Sequence, residues 1–184
     1  GAKQEDLRRS PRCLTLDSTL ARPNDERMPY AEANGIELCY ESMGDGEPLV
    51  LIMGIGAQLI YWQDDFCHEL ADKGFRVIRF DNRDVGLSTK LKECGVPGVR
   101  SMLIRSLLGM PVHAPYTLLD MADDVAGLLD SLNIEEAHIV GASMGGMIAQ
   151  TLTITHPHRV RSLTSIMSNS GERVDSLTHP RALR

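Results

Sequence analysis

Glu136-Ala137-His138-Ile139-Val140-Gly141-Ala142-Ser143-Met144-Gly145-Gly146-Met147-Ile148-Ala149-Gln150 is the stretch that decides the fold. A short apolar run rich in β-branched residues, His138 to Val140, breaks at Gly141, passes through Ser143 and resumes after Gly145-Gly146 as helix-forming residues. That order reads as strand, sharp turn and helix. Gly141-x-Ser143-x-Gly145 fits the nucleophile-elbow pattern, in which a serine sits on a strained turn with its hydroxyl projecting above a sheet. The flanking glycines have a mechanical reason, because strand and helix approach too closely there for a Cβ. With 16 glycines in 184 residues, the five letters would arise by chance about one time in ten, so the weight rests on the strand before and the helix after. The plain alternative is a glycine-rich turn with a bystander serine.

Outward from this stretch the same alternation repeats. Tyr30 to Ala33 and Ile36 to Ser42 read as strands about the hairpin turn Asn34-Gly35. Pro48 to Met53 is a continuous apolar run, as expected for a central strand buried on both faces. A helical pattern then sets Leu59, Trp62, Phe66 and Leu70 on one face and closes at Lys73-Gly74. Phe75 to Phe80 is the next strand, with a polar loop, Asp81 to Ser88, at its carboxyl end. Thr89 to Pro115 is an irregular connection with a helical turn or two around Met102 to Leu108. Tyr116 to Leu132 is an amphipathic helix whose Asp120, Asp123 and Asp124 read as a solvated face near its N-terminus. Pro157 stops the helix after the elbow, and Arg159 to Met167 supplies a further strand. Strands alternating with helices give an α/β fold, a mostly parallel sheet flanked by helices and fronted by a hairpin. Residues 1–27 read as a loosely ordered extension, 28–168 as the core and 169–184 as the start of a further region.

With 42% hydrophobic residues the chain can bury a real core. No apolar run approaches the ~18 residues of a spanning helix, and Gly1 to Arg27 is too polar for a signal peptide. A net charge of −6 argues against nucleic acid or an anionic membrane as partner and leaves small molecules as the easier reading. Cys13, Cys39, Cys67 and Cys94 show no C-x-x-C pair, so neither a zinc site nor a disulfide framework is indicated, and a reducing cytoplasm is the expected compartment.

Several site motifs fail on inspection. Gly54-x-Gly56 follows a buried strand, but the third glycine of a dinucleotide fingerprint is replaced by Leu59. No P-loop occurs, and His68-Glu69 is followed by Asp72 where a zincin needs histidine. No cofactor and no metal is expected. A backbone role remains for Gly54-Ile55-Gly56: acyl transfer needs two N–H donors for the oxyanion, one after the nucleophile and one from a loop after an earlier central strand. Met144 is the first by position and Ile55 is chosen as the second. The general base is harder to find. His138 lies within the elbow strand, His68 on a flanking helix, and His156 and His158 at the far end of the elbow helix. His113 and His179 follow no recognisable late strand, and Asp81 reads as a structural loop acid.

Taken together, the residues from about Met28 through Met167 resemble an α/β-hydrolase: the front hairpin, the strand ending Met53-Gly54, Arg79-Phe80-Asp81-x-Arg83-x-x-Gly86-x-Ser88, the helix ending Ser131-Leu132 and the elbow. The phrases around Trp62 to Leu70 and Asp81 to Ser88 are similar to the aclacinomycin-methylesterase-like group of carboxylic ester hydrolases. Met53 stands where the superfamily often has histidine. The resemblance implies a chain order of Ser, then Asp or Glu, then His, the last two beyond further strands and a helical cap. No residue here matches that acid or histidine, and 169–184 looks like the entry to a missing cap. Loss of such a histidine costs about 10⁶ in turnover and leaves roughly 10³ to 10⁴ over water. Without later strands, Val160 to Met167 would also be an exposed sheet edge prone to association.

Two readings follow. In the first, the chain is the amino-terminal part of a serine hydrolase of esters or lactones, with Ser143 attacking, Ile55 and Met144 holding the oxyanion, and the histidine and acid coming from absent sequence or another chain, by self-association or as a complementing carboxyl-terminal part. Serine at the elbow argues against epoxide hydrolases and haloalkane dehalogenases, while cofactor-free peroxidase or perhydrolase chemistry stays open. In the second, the chain is a non-catalytic remnant or association module with half the fold.

Overall fold

Asn34 and Gly35 take positive φ of 50° and 76°, the backbone that a two-residue hairpin of matching twist requires. They join β1 (Tyr30–Ala33) to β2 (Ile36–Met43), with Ala33 opposite Ile36. The structure is a computed structural model that describes residues 28–91 and 115–170. β2 pairs antiparallel with β4 (Phe75–Phe80), after which the sheet is parallel through β3 (Glu47–Ile52), β5 (Ala137–Ala142) and β6 (Val160–Ile166). The order among the described residues is β1-β2-β4-β3-β5-β6. The α/β fold and its front hairpin are therefore as the sequence predicts.

β3 shows why the centre of the sheet reads as an unbroken apolar run. Side chains alternate across a strand, so Val50 and Ile52 enter a core with Ile78, Phe80, Ile139, Leu128, Ile148 and Leu152. Leu49 and Leu51 enter a second core with Trp62, Cys67 and Val77 on the other face. Each aliphatic side chain so buried contributes about 1.5–3 kcal/mol. The first core is covered by α2 (Leu118–Ser131) and α3 (Met144–Thr155), the second by α1 (Asp64–Asp72). Thr117 starts α2 with a capping box: its backbone N–H donates to Asp120 Oδ2 at 2.7 Å, and its hydroxyl accepts from Asp120 N–H.

Two expectations are corrected. The helix expected from Leu59 to Leu70 is interrupted: Leu59–Tyr61 form a separate turn, Trp62 is extended and α1 begins at Asp64. The cause lies across the fold, since Arg79 takes the Trp62 carbonyl and Asp81 takes the Leu59 N–H. Phe66 accordingly is largely exposed and stacks on Trp62 at 5.8 Å instead of entering the core. The acids of α2 are not one solvated face either. Asp124 is only 2% exposed and is paired with Arg83, Asp120 serves the cap, and half-buried Asp123 lies 3.6 Å from His156.

β6 pairs with β5 and with no other described strand, and Arg161 to Ser165 are all exposed. Residues 1–27, the turn expected at Met102 to Leu108, His113, His179, Cys13, Cys94 and 171–184 lie outside the described residues.

Candidate active site

β5 ends at Ala142, α3 begins at Met144, and Ser143 between them has φ 55° and ψ −122°. For a residue with a Cβ this is a strained conformation. The chain is forced into it by the tightness of the bend. A Cβ on Gly141 would lie 2.2 Å from Gly145 O, and one on Gly145 would lie 2.2 Å from Ile52 O and 2.8 Å from Met53 O. The serine backbone is locked on both sides, its N–H donating to Ile166 O of β6 and its C=O accepting from Gly146 N–H, each at 2.9 Å. Its side chain is exposed and makes no capping hydrogen bond.

The loop after β3 lies against this serine. A Cβ on Gly54 would be 3.1 Å from Ser143 Cβ and 3.5 Å from its Oγ. Ile55 follows, 64% exposed, in a turn closed by Ala57 N–H to Gly54 O at 3.3 Å. Met144 stands at the first helical position of α3, where N–H groups lack intrahelical acceptors. The structure thus brings Ser143, Met144 and the Ile55 loop to one rim, at the carboxyl ends of β3 and β5.

None of the described histidines hydrogen-bonds Ser143. His138 lies five residues before it in β5, with Nδ1 2.7 Å from Ser162 Oγ and Nε2 3.1 Å from Glu47 Oε2. His68 and His158 are exposed, the first on α1, the second after α3, and His156 faces Asp123. Asp81 is buried with both carboxylate oxygens engaged, Oδ1 by Leu59 N–H at 2.7 Å and Oδ2 by Leu87 N–H at 2.8 Å. Among the described residues no group of three or more His, Cys, Asp or Glu could hold a metal ion.

The loop after β4 is polar but buried. Arg83 makes two 2.6 Å bonds to the Asp124 carboxylate, donates to Asp120 O at 3.2 Å and lies over the Tyr116 ring at 5.0 Å. Burial disfavours the Arg83 charge, but the hydrogen bonds it donates to Asp124 and that carboxylate's charge outweigh this and raise its pKa. Burial, together with the Asp84 carboxylate, pushes the Tyr116 hydroxyl up to about 12. Asn82, 2% exposed, donates from Nδ2 to Met53 O at 2.9 Å. The sequence marks a polar loop here, Asp81-Asn82-Arg83 directly after the buried end of β4, but not the partners these residues take.

Residues 47–182 match the alpha/beta hydrolase fold family. The chain belongs to the α/β-hydrolase family. Rhodomycin D methylesterase DauP of Streptomyces sp. strain C5 is 31% identical over 137 residues, which is 73% of this α/β-hydrolase chain and 40% of that protein. A methylesterase relative agrees with the group that Trp62 to Leu70 and Asp81 to Ser88 resemble. Among solved structures, the enol-lactonase from Burkholderia xenovorans LB400 matches with TM-score 0.55 and 32% identity, over 72% of this chain and 44% of that one. A hydrolase from Pseudomonas aeruginosa matches with TM-score 0.56 and 30% identity, over 74% and 44%. The chain spans less than half, 36–44%, of the length of the curated relatives it matches. No described helix is long and apolar enough to cross a membrane.

Proposed function

We propose that this chain carries the nucleophile and oxyanion donors of a serine hydrolase acting on a small carboxylic ester or lactone. The observation that carries the reading is the exposed Ser143 side chain, held at φ 55° beside Gly54. Ser143 Oγ attacks the acyl carbon, its proton passing to a general base, and the carbonyl oxygen becomes an oxyanion facing the N–H groups of Ile55 and Met144. Each donor lowers the barrier by about 3 kcal/mol. Collapse of the tetrahedral intermediate expels the protonated alcohol and leaves an acyl-serine, which water then hydrolyses. The histidine and acid come from sequence outside the described residues or from a complementing chain, and β6, which pairs only with β5 among the described residues, offers a place for such sequence to pair.

The test treats the chain with a fluorophosphonate probe and with p-nitrophenyl acetate, using Ser143→Ala as control. Labelling or turnover that depends on Ser143 supports the nucleophile. A second reading, a non-catalytic association module, is favoured by the lack of a described histidine on Ser143; silence in both assays, with concentration-dependent self-association through β6, would establish it instead.

A further inference from the structure

We infer that Asn82 and Asp81 are positioning residues that aim the Ile55 N–H at the oxyanion, an inference that rests on the reading of Ser143 and Ile55 just given. The loop between β3 and the Leu59 turn is gripped at two points. Asn82 Nδ2 donates to Met53 O at 2.9 Å, and Leu59 N–H donates to Asp81 Oδ1 at 2.7 Å. Between these grips the Ala57 N–H bond to Gly54 O is long, at 3.3 Å, and Ile55 and Gly56 are exposed. The loop therefore owes its placement to its ends.

The grip itself is braced from behind. Asp81 N–H donates to Cys39 O at 2.9 Å, the Ser88 hydroxyl donates to Asp81 O at 2.6 Å, and the same hydroxyl accepts from Cys39 N–H at 2.9 Å. Leu87 N–H holds the second carboxylate oxygen, and the bend is so close that a Cβ on Gly86 would lie 1.8 Å from it. The Met53 carbonyl matters twice, because it also packs against Gly145, where an added Cβ would lie 2.8 Å away. Fixing that carbonyl fixes the loop relative to the start of α3. The two donors, Ile55 and Met144, thus take their relative position through one carbonyl that Asn82 holds.

The test uses the ¹⁵N-labelled full chain and phenylboronic acid, whose boron takes the serine Oγ to give an anionic tetrahedral adduct like the intermediate. In the wild type both the Ile55 and Met144 amide resonances shift on binding. In Asn82→Ala the Met144 shift persists, the Ile55 shift is lost, and affinity weakens about tenfold, as expected for one lost hydrogen bond. Asn82→Asp, which keeps the shape and removes the donor, behaves likewise. Amide exchange at Ala57 rises about fivefold in both variants while Ile148 and Leu152 in α3 are unchanged. Wild-type affinity and an unchanged Ile55 shift in both variants overturn the inference, and so does exchange that rises throughout the sheet. If the probe fails to bind the wild type, or binds Ser143→Ala equally, the reading of the serine is lost; the clamp then stands or falls on the Ala57 exchange alone.

Discussion

Replacing Ser143 by glycine should stabilise the protein relative to replacing it by alanine, against the usual order of those residues. At φ 55° and ψ −122° a residue bearing a Cβ costs about 1–3 kcal/mol. Ser143→Ala keeps the Cβ and therefore the strain, and removes only an exposed hydroxyl without a capping bond, so it should lie within about 0.5 kcal/mol of the wild type. Ser143→Gly releases the strain and gives back about 0.5–1 kcal/mol through the freer unfolded chain. The net expectation is a glycine variant about 1 kcal/mol more stable than the alanine variant. On a relaxed backbone glycine would instead be the weaker by about 0.5–1 kcal/mol. Urea unfolding at constant m reads the difference directly, and a melting shift of about 2–4 °C should accompany it. Both variants should lose fluorophosphonate labelling. A glycine variant no more stable than the alanine variant would show that the bend stores no strain, and the argument that the turn is maintained for the sake of its side chain would fail with it.

The Arg83–Asp124 pair should behave as a coupled unit. Asp124 is 2% and Arg83 6% exposed, so Arg83→Met or Asp124→Leu alone leaves an unpaired buried charge and should cost about 3–5 kcal/mol. The double variant should cost at least about 2 kcal/mol less than the sum, and additive urea midpoints would refute the coupling. Glu47 gives a pH dependence of known sign. Hydrogen bonds from His138 and then Arg161 hold its carboxyl below the ordinary value of 4.5. A carboxylate lowered on folding adds stability above its unfolded pKa and loses it as the pH falls through the folded one. Between about pH 5 and about pH 3 the wild-type urea midpoint should therefore drop more steeply than that of Glu47→Gln, and parallel slopes would count against the ion pair.

How much of this was legible follows from how local each constraint is. The hairpin at Asn34-Gly35 and the bend at Ser143 were readable because positive φ and vanished Cβ atoms leave glycine in the sequence at fixed spacing. The strand from Glu47 to Ile52 was readable because burial on two faces leaves an apolar run. Asp124 was misread because a helical pattern gives the direction of a side chain and not what opposes it, and its partner lies 41 residues earlier. Phe66 was misread for a related reason: an even periodicity concealed the break at Trp62 that Arg79 and Asp81 impose. In the candidate site, Ser143, Ile55 and Met144 could be named from letters, whereas the grip of Asn82 on Met53 could not.

That division has a structural origin at the carboxyl ends of three neighbouring strands. Ser143 N–H reaches Ile166 O of β6, Gly145 abuts Ile52 O of β3, and the serine itself closes β5. Each of these contacts is made by main chain, so sequence enters only where a side chain must be absent, and absence of a side chain is written as glycine. A general base is the opposite case: it needs one ring at one distance from Oγ, and any segment able to reach the rim can bring it. The proposed nucleophile is therefore placed by sheet register, whereas a base would be placed by chain geometry. For that reason a chain matching 36–44% of its relatives' length holds an oriented serine even where no described histidine meets it.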